Sequence, residues 1–320
     1  MSTESIYNPI PPNRRSTRAD HPFGIYNIEL TNRCPMKCIM CPRTNNMTRP
    51  QGFMDCELFQ RAIDELVSIN PEYIDSRMVW LHHFGESLLH PRFGDCIEYA
   101  SSKGVLTGLS INPFILTEDI AGELLRAQPS VLCISLDGHD DDSFYRIRGV
   151  KNAYNLSRTR LLDFLQLKKR YNAEITVILS MIHFPMNRAS IESEWSFWQS
   201  CEGVDQFLEK DFSTWDGNAE DVHALIDDCA CRSNDIDRSS VACTLPWEVM
   251  TVTWNGDVVP CCYDYNARLV LGNMERESFQ EIWNGEKMRA LRAEFIDNKV
   301  TNELCKNCDK LYLPRDSWKW

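Results

Sequence analysis

Three cysteines, Cys34, Cys38 and Cys41, lie in the segment TNRCPMKCIMC, directly after an apolar run containing Phe23, Ile25, Ile28 and Leu30. A cubane iron–sulfur cluster takes four ligands, so three thiolates on one tight loop leave one iron open to a small molecule. The spacing suits one cluster better than a pair of disulfides. A zinc site or a set of buried thiols is the other reading of three close cysteines.

A second constellation lies toward the C-terminus at Cys243, Cys261, Cys262, Cys305 and Cys308. Between the first two runs VMTVTWNGDVVPCC, an alternating strand, an Asn255-Gly256 pair and a second strand, which is a strong hairpin signal. The hairpin brings Cys243 and Cys261 toward each other. A helical pattern follows from about Ser278 to Phe295, and then a CxxC loop with Cys305 and Cys308. Cys243, Cys261, Cys305 and Cys308 would complete the ligation of a second cluster, with a zinc ribbon as the alternative use of such a set. Cys262 is then a thiol left over from coordination.

CxxxCxxC after a first strand resembles the radical S-adenosylmethionine (SAM) enzymes. In that family the open iron chelates the amino and carboxylate groups of SAM, and one electron splits SAM into methionine and a 5′-deoxyadenosyl radical. The segment VWLHHFGE ends in Gly85 and Glu86, which match the Gly-Glu core of the family motif that meets the SAM ammonium, while Phe84 and Ser87 depart from it. A glycine admits close backbone approach and a carboxylate pairs with an ammonium group. The resemblance further implies Met40, Asn112, Ser135, Asp137 and Arg148 as cofactor-binding residues. Asn112 and Asp137 also suit plain turn or helix-capping roles.

The C-terminal stretch resembles the shortened SPASM/twitch modules of that family. Full SPASM modules have more cysteines and two auxiliary clusters, so this chain is expected to hold one. The implied cofactors are two [4Fe–4S] clusters, one binding SAM and one auxiliary, and SAM itself. In some epimerases of this branch a cysteine thiol returns a hydrogen atom to the substrate radical, which makes Cys262 a candidate donor. Its alternative is packing under the hairpin.

These motifs need elements to hold them. Apolar runs near 23–31, 77–84, 105–111, 130–136, 174–184 and 204–209 alternate with helical patterns near 56–69, 92–103, 117–127, 153–170 and 188–200. Strand–helix repeats imply parallel strands with right-handed crossovers. The resemblance turns this α/β pattern into a partial (β/α)6 barrel, followed by a twitch-type module of a β-hairpin plus helix. The expected divisions are an N-terminal extension over 1–22, the barrel over 23–210, a loop-rich connector over 211–242 and the auxiliary module over 243–320.

Glu209 and Lys210, at the end of the sixth strand, are candidates for the base that dehydrogenation of an alcohol needs, with Asp211 following. A solvated salt bridge is their other reading. The chain has 320 residues, 43% of them hydrophobic, and a net charge of -12, which argues against a nucleic-acid backbone as partner. Fourteen cysteines without a signal peptide or a long apolar span point to a reducing cytoplasm and no membrane. Cys56, Cys96, Cys133 and Cys201 fall in element patterns and read as packing residues, whereas Cys229 and Cys231 have no assignment.

Only about two dozen residues precede the first strand, too few for a peptide-recognition domain. The resemblance therefore points to a sugar or aminocyclitol substrate, as in aminoglycoside biosynthesis. The expected chemistry is hydrogen abstraction from carbon leading to epimerisation or alcohol oxidation, with a reductant such as flavodoxin or ferredoxin. A peptide maturase and a non-catalytic iron–sulfur or zinc protein are the competing readings.

Overall fold

The structure, a computed structural model, describes residues 15–71, 78–184, 186–210, 213–228 and 238–313. Asp211, Cys229 and Cys231 fall outside these. Six parallel strands stand in sequence order: β1 (Gly24–Ile28), β2 (Met78–Trp80), β3 (Leu106–Ile111), β4 (Val131–Ser135), β5 (Thr176–Ile182) and β6 (Gln206–Lys210). Between them run α1 (Cys56–Ile69), α2 (Phe93–Ser102), α3 (Glu118–Ala127), α4 (Asp141–Arg148), α5 (Tyr154–Arg170) and α6 (Ile191–Gln199). This is the expected partial (β/α)6 barrel.

The helices form where local chemistry favours them. Asp55 caps α1 through the amides of Glu57 and Leu58, and Phe59, Ala62, Ile63 and Leu66 repeat at helical spacing to bury one face. In β5, Val177, Leu179 and Met181 enter the core under the helices, and Ser180 between them takes the other face. The sequence pattern missed α4, a short polar helix started by a capping box of Asp140 and Ser143 and ended by Gly149 at φ 75°.

The C-terminal hairpin is not a separate unit. Its first strand, β7 (Val249–Val252), pairs parallel with β1, and β8 (Asp257–Val259) and β9 (Gly272–Asn273) follow antiparallel, so one nine-stranded sheet runs β6-β5-β4-β3-β2-β1-β7-β8-β9. Gly256 supplies the positive φ of 82° that the hairpin turn requires. Every residue of β7 is buried, as befits a strand inside a sheet.

Three expectations are corrected. The connector over 211–242 contains a helix, α7 (Glu220–Asp228). The module adds β9 to its hairpin. The single helix expected from Ser278 to Phe295 is two, α8 (Phe279–Trp283) and α9 (Glu286–Ile296). The break falls at Asn284-Gly285, where Gly285 is extended and Asn284 Oδ1 accepts from the Ala19 amide (3.0 Å) and Arg292 Nη1 (3.1 Å).

Candidate functional site

The loop bearing Cys34, Cys38 and Cys41 leaves β1 and is gripped by the end of α4. The amides of Lys37 and Ile39 donate to the carbonyls of Arg148 (3.0 Å) and Ile147 (3.0 Å), acceptors that a helix C-terminus leaves open. A β-carbon on residue 149 would lie 2.6 Å from the Lys37 carbonyl oxygen, so Gly149 is what lets the two segments touch. Arg148 bridges Asp137 and Cys38, with Nη1 3.4 Å from Cys38 Sγ. Burial pushes the Cys34 thiol up to about 12 and the Cys41 thiol to about 11, with Glu86 and Cys38 adding to the shift at Cys34 and Cys38 at Cys41. Two thiols that resist ionisation until a cation arrives, with the Cys38 thiol beside them on the same loop, form a donor set suited to an iron–sulfur group.

Gly85 and Glu86 sit against this loop. A β-carbon on residue 85 would lie 1.9 Å from the Thr31 carbonyl oxygen, which only glycine avoids. Glu86 donates its amide to the Arg33 carbonyl (2.8 Å), and its carboxylate accepts from the amides of Asn112 (3.0 Å) and Leu88 (3.4 Å). Burial pushes its pKa up to about 7, so the site favours a cationic guest. Asn112 caps the following turn through the Phe114 amide (2.9 Å) and donates to the Ser135 carbonyl (3.2 Å), while Asp137 accepts from the Ile182 amide (2.7 Å). Both side chains therefore carry structural bonds at the rim of the site. The Met40 carbonyl accepts from the Trp215 indole (2.8 Å).

In the C-terminal module, Cys243, Cys261, Cys305 and Cys308 all line one cavity, walled by Leu291, Phe295 and Leu304. Burial drives the pKa values of Cys261, Cys305 and Cys308 well up, and neighbouring thiols add to it. Among the described residues no three His, Cys, Asp or Glu side chains converge as a single-ion site. The four thiols surround a volume instead. Cys262 does not line that cavity, and its carbonyl accepts from His83 Nε2 (2.8 Å) on the barrel side.

Parity along β6 separates the two candidate bases. Glu209 turns outward to the helix layer, accepting from Trp195 Nε1 (2.9 Å) and lying 3.3 Å from His183 Nε2. Lys210 turns inward, with Nζ 3.5 Å from Cys133 Sγ of β4. Only Lys210 reaches the concave face of the barrel. Cys133 is accordingly a lining residue of that face and stands apart from the core under the helices.

Sequence reasoning missed a buried ionic network beneath the site. Glu29, fully buried, accepts from Arg49 Nη1 (2.6 Å) and Nη2 (2.5 Å) and lies 3.6 Å from His83 Nδ1. Arg49 also donates Nε to the Tyr265 carbonyl (2.7 Å), so the network ties the first cluster loop to the C-terminal module. The available signal was a charged residue inside the apolar run Ile28-Glu29-Leu30.

Comparison with known proteins agrees with this geometry. Residues 28–193 match the radical SAM superfamily, and residues 243–309 match SPASM, an iron–sulfur cluster-binding domain. A cofactor-modifying protein of tungsten-containing aldehyde ferredoxin oxidoreductase from Pyrococcus furiosus is 28% identical over 34% of this chain, which spans only 30% of its length. The S-adenosyl-L-methionine-dependent 2-deoxy-scyllo-inosamine dehydrogenase of Niallia circulans is 29% identical over 91% of this chain and 95% of its own. The fold matches the crystal structure of BtrN in complex with AdoMet and 2-DOIA (TM-score 0.59, 19% identity, 91% of this chain and 94% of that one). It also matches Streptococcus suis SuiB bound to precursor peptide SuiA (TM-score 0.64, 13% identity, 91% and 71%). With more than half of its sequence in the family match and the barrel to go with it, the chain belongs to the radical SAM superfamily, whose cofactors are SAM on a [4Fe–4S] cluster and, through the SPASM match, auxiliary iron–sulfur.

Proposed function

We propose that the chain is a radical SAM dehydrogenase that oxidises a hydroxyl-bearing carbon of a sugar or aminocyclitol. The observation that carries this reading is the nearly end-to-end likeness to the 2-deoxy-scyllo-inosamine dehydrogenase, which spans barrel and C-terminal module alike. Cys34, Cys38 and Cys41 hold the SAM-binding cluster, and Glu86 receives the SAM ammonium at the end of Gly85. Cys243, Cys261, Cys305 and Cys308 hold one auxiliary cluster. When bound, these groups supply hydrogen abstraction from carbon and an acceptor for the second electron.

The chain's own residues do the rest. Lys210 brings its side-chain nitrogen to the concave face, where as an ammonium it would steady the hydroxyl oxygen while the hydroxyl proton passes to water. Cys133 beneath it and the serines of β4 and β5, Ser135 and Ser180, give that face a polar lining suited to a polyhydroxylated ring. Glu209 plays no part at this face. Oxidation is favoured over epimerisation by the relative's activity. The reductant is a one-electron donor of flavodoxin or ferredoxin type.

Anaerobic reconstitution followed by reduction with cyclitols, pyranosides and short peptides tests the reading. A ketone formed from a cyclitol or sugar, with 5′-deoxyadenosine in step, is expected. Modification of peptide alone would refute it. Iron content of about eight per chain is expected, and about four would remove the auxiliary cluster.

A further inference from the structure

His82 stands two residues beyond β2 and has no part in the roles assigned above. Its ring meets Trp80 edge-on at 5.2 Å, on the face that Gly108 leaves open: a β-carbon on residue 108 would lie 2.7 Å from the Trp80 ring. Asn27 Nδ2 holds the His82 carbonyl at 2.6 Å. The ring nitrogen Nδ1 accepts from the Ser110 amide (3.1 Å). A backbone amide can only donate, so Nδ1 carries the lone pair and the proton sits on Nε2.

Three strands separate β2 from β6 in the sheet. Burial above all, and then Lys210 and His83, disfavour the protonated form of the His82 ring. Lys210 Nζ reaches back to Cys133 Sγ of β4, and Cys133 pairs across the sheet with Ser110 of β3, whose amide donates to the His82 ring, so the two side chains come to neighbouring positions of the sheet. Among the described residues, the polar contact of Lys210 is Cys133 Sγ. The imidazole is neutral and donates, and the ammonium donates. Neither offers an acceptor to the other.

We propose that His82 Nε2–H and Lys210 Nζ are paired donors for one hydroxyl oxygen of the substrate, which makes His82 a specificity-determining residue. The inference rests on the sugar or aminocyclitol reading. It places a hydroxyl between β2 and β6 and turns any amine of the substrate elsewhere, because an ammonium there would meet a cation and an N–H with no acceptor.

The test is calorimetric binding to the reconstituted, SAM-loaded, unreduced enzyme with scyllo-inositol, 2-deoxy-scyllo-inosamine, methyl glucoside and a serine-containing tripeptide as probes. H82L removes the donor, H82N draws it back, and H82Q retains a reach close to that of the ring. Whichever probe the wild type binds is expected to weaken about tenfold in H82L and H82N and within about threefold in H82Q, with SAM affinity unchanged in all three. Unchanged probe affinity in H82L and H82N would overturn the proposal, as would a parallel loss of SAM affinity, the mark of a structural role. If the wild type prefers the tripeptide, the substrate reading fails, and the contrast of H82Q with H82N on that probe still decides the donor.

Discussion

Replacing Arg49 by Met strands a buried carboxylate. Burial by itself would raise the pKa of Glu29, but the Arg49 guanidinium and then His83 reverse this and hold it well below the usual carboxylate range. In R49M the remaining donors are the amides of Phe84 (3.3 Å) and Trp254 (3.2 Å), with the ring of His83 3.6 Å away. Removing one partner of a buried pair costs about 3–5 kcal/mol. For a chain of this length that is a fall of about 4–8 °C in melting temperature. Thermal unfolding of anaerobic protein at matched iron content measures it, and E29Q/R49M is expected to recover most of the loss, since a neutral amide tolerates the site. A depressed carboxylate stabilises the fold fully above the unfolded pKa of about 4.3 and loses that contribution as pH falls further. The gap between wild type and R49M should therefore narrow below about pH 4. A shift under about 1 °C, or a double variant no better than R49M, would refute the reasoning.

Glu86, with a pKa of about 7 before SAM arrives, must ionise to pair with the SAM ammonium. SAM affinity measured by equilibrium dialysis should rise from pH 5.5 to about 7 and level off above, and E86Q should lose both about tenfold in affinity and that slope. In K210M, ketone formation is expected to fall about 100-fold while SAM cleavage continues, a split visible in the ratio of 5′-deoxyadenosine to ketone. C262A should keep ketone formation within about threefold of wild type in deuterated water. Loss of a deuterated, inverted product in that variant would instead mark Cys262 as a hydrogen donor.

The cysteine loop and the hairpin were legible because their signals are local: CxxxCxxC, Asn255-Gly256 and the CxxC pair each span a few residues. The long amphipathic helices were legible through periodicity, as in α1. The polar helix α4 has little periodicity to read, and its role as the clamp on the cluster loop depends on residues 110 positions away, such as Arg148 beside Cys38. Parity at the end of β6 was also hidden, since a shift of one residue exchanges Glu209 for Lys210 and the register is set by β5. The pairing of β7 with β1 joins segments more than 200 residues apart. No local pattern announces such a partner.

That pairing has a mechanical consequence. Because Gly24 through Ile28 zip directly to Val249 through Val252, the C-terminal module cannot swing on a hinge without unfastening the middle of the sheet. The two thiol-lined regions are thus surveyed from one backbone frame, and any gap that electrons must cross between them is fixed at folding and does not vary from one turnover to the next.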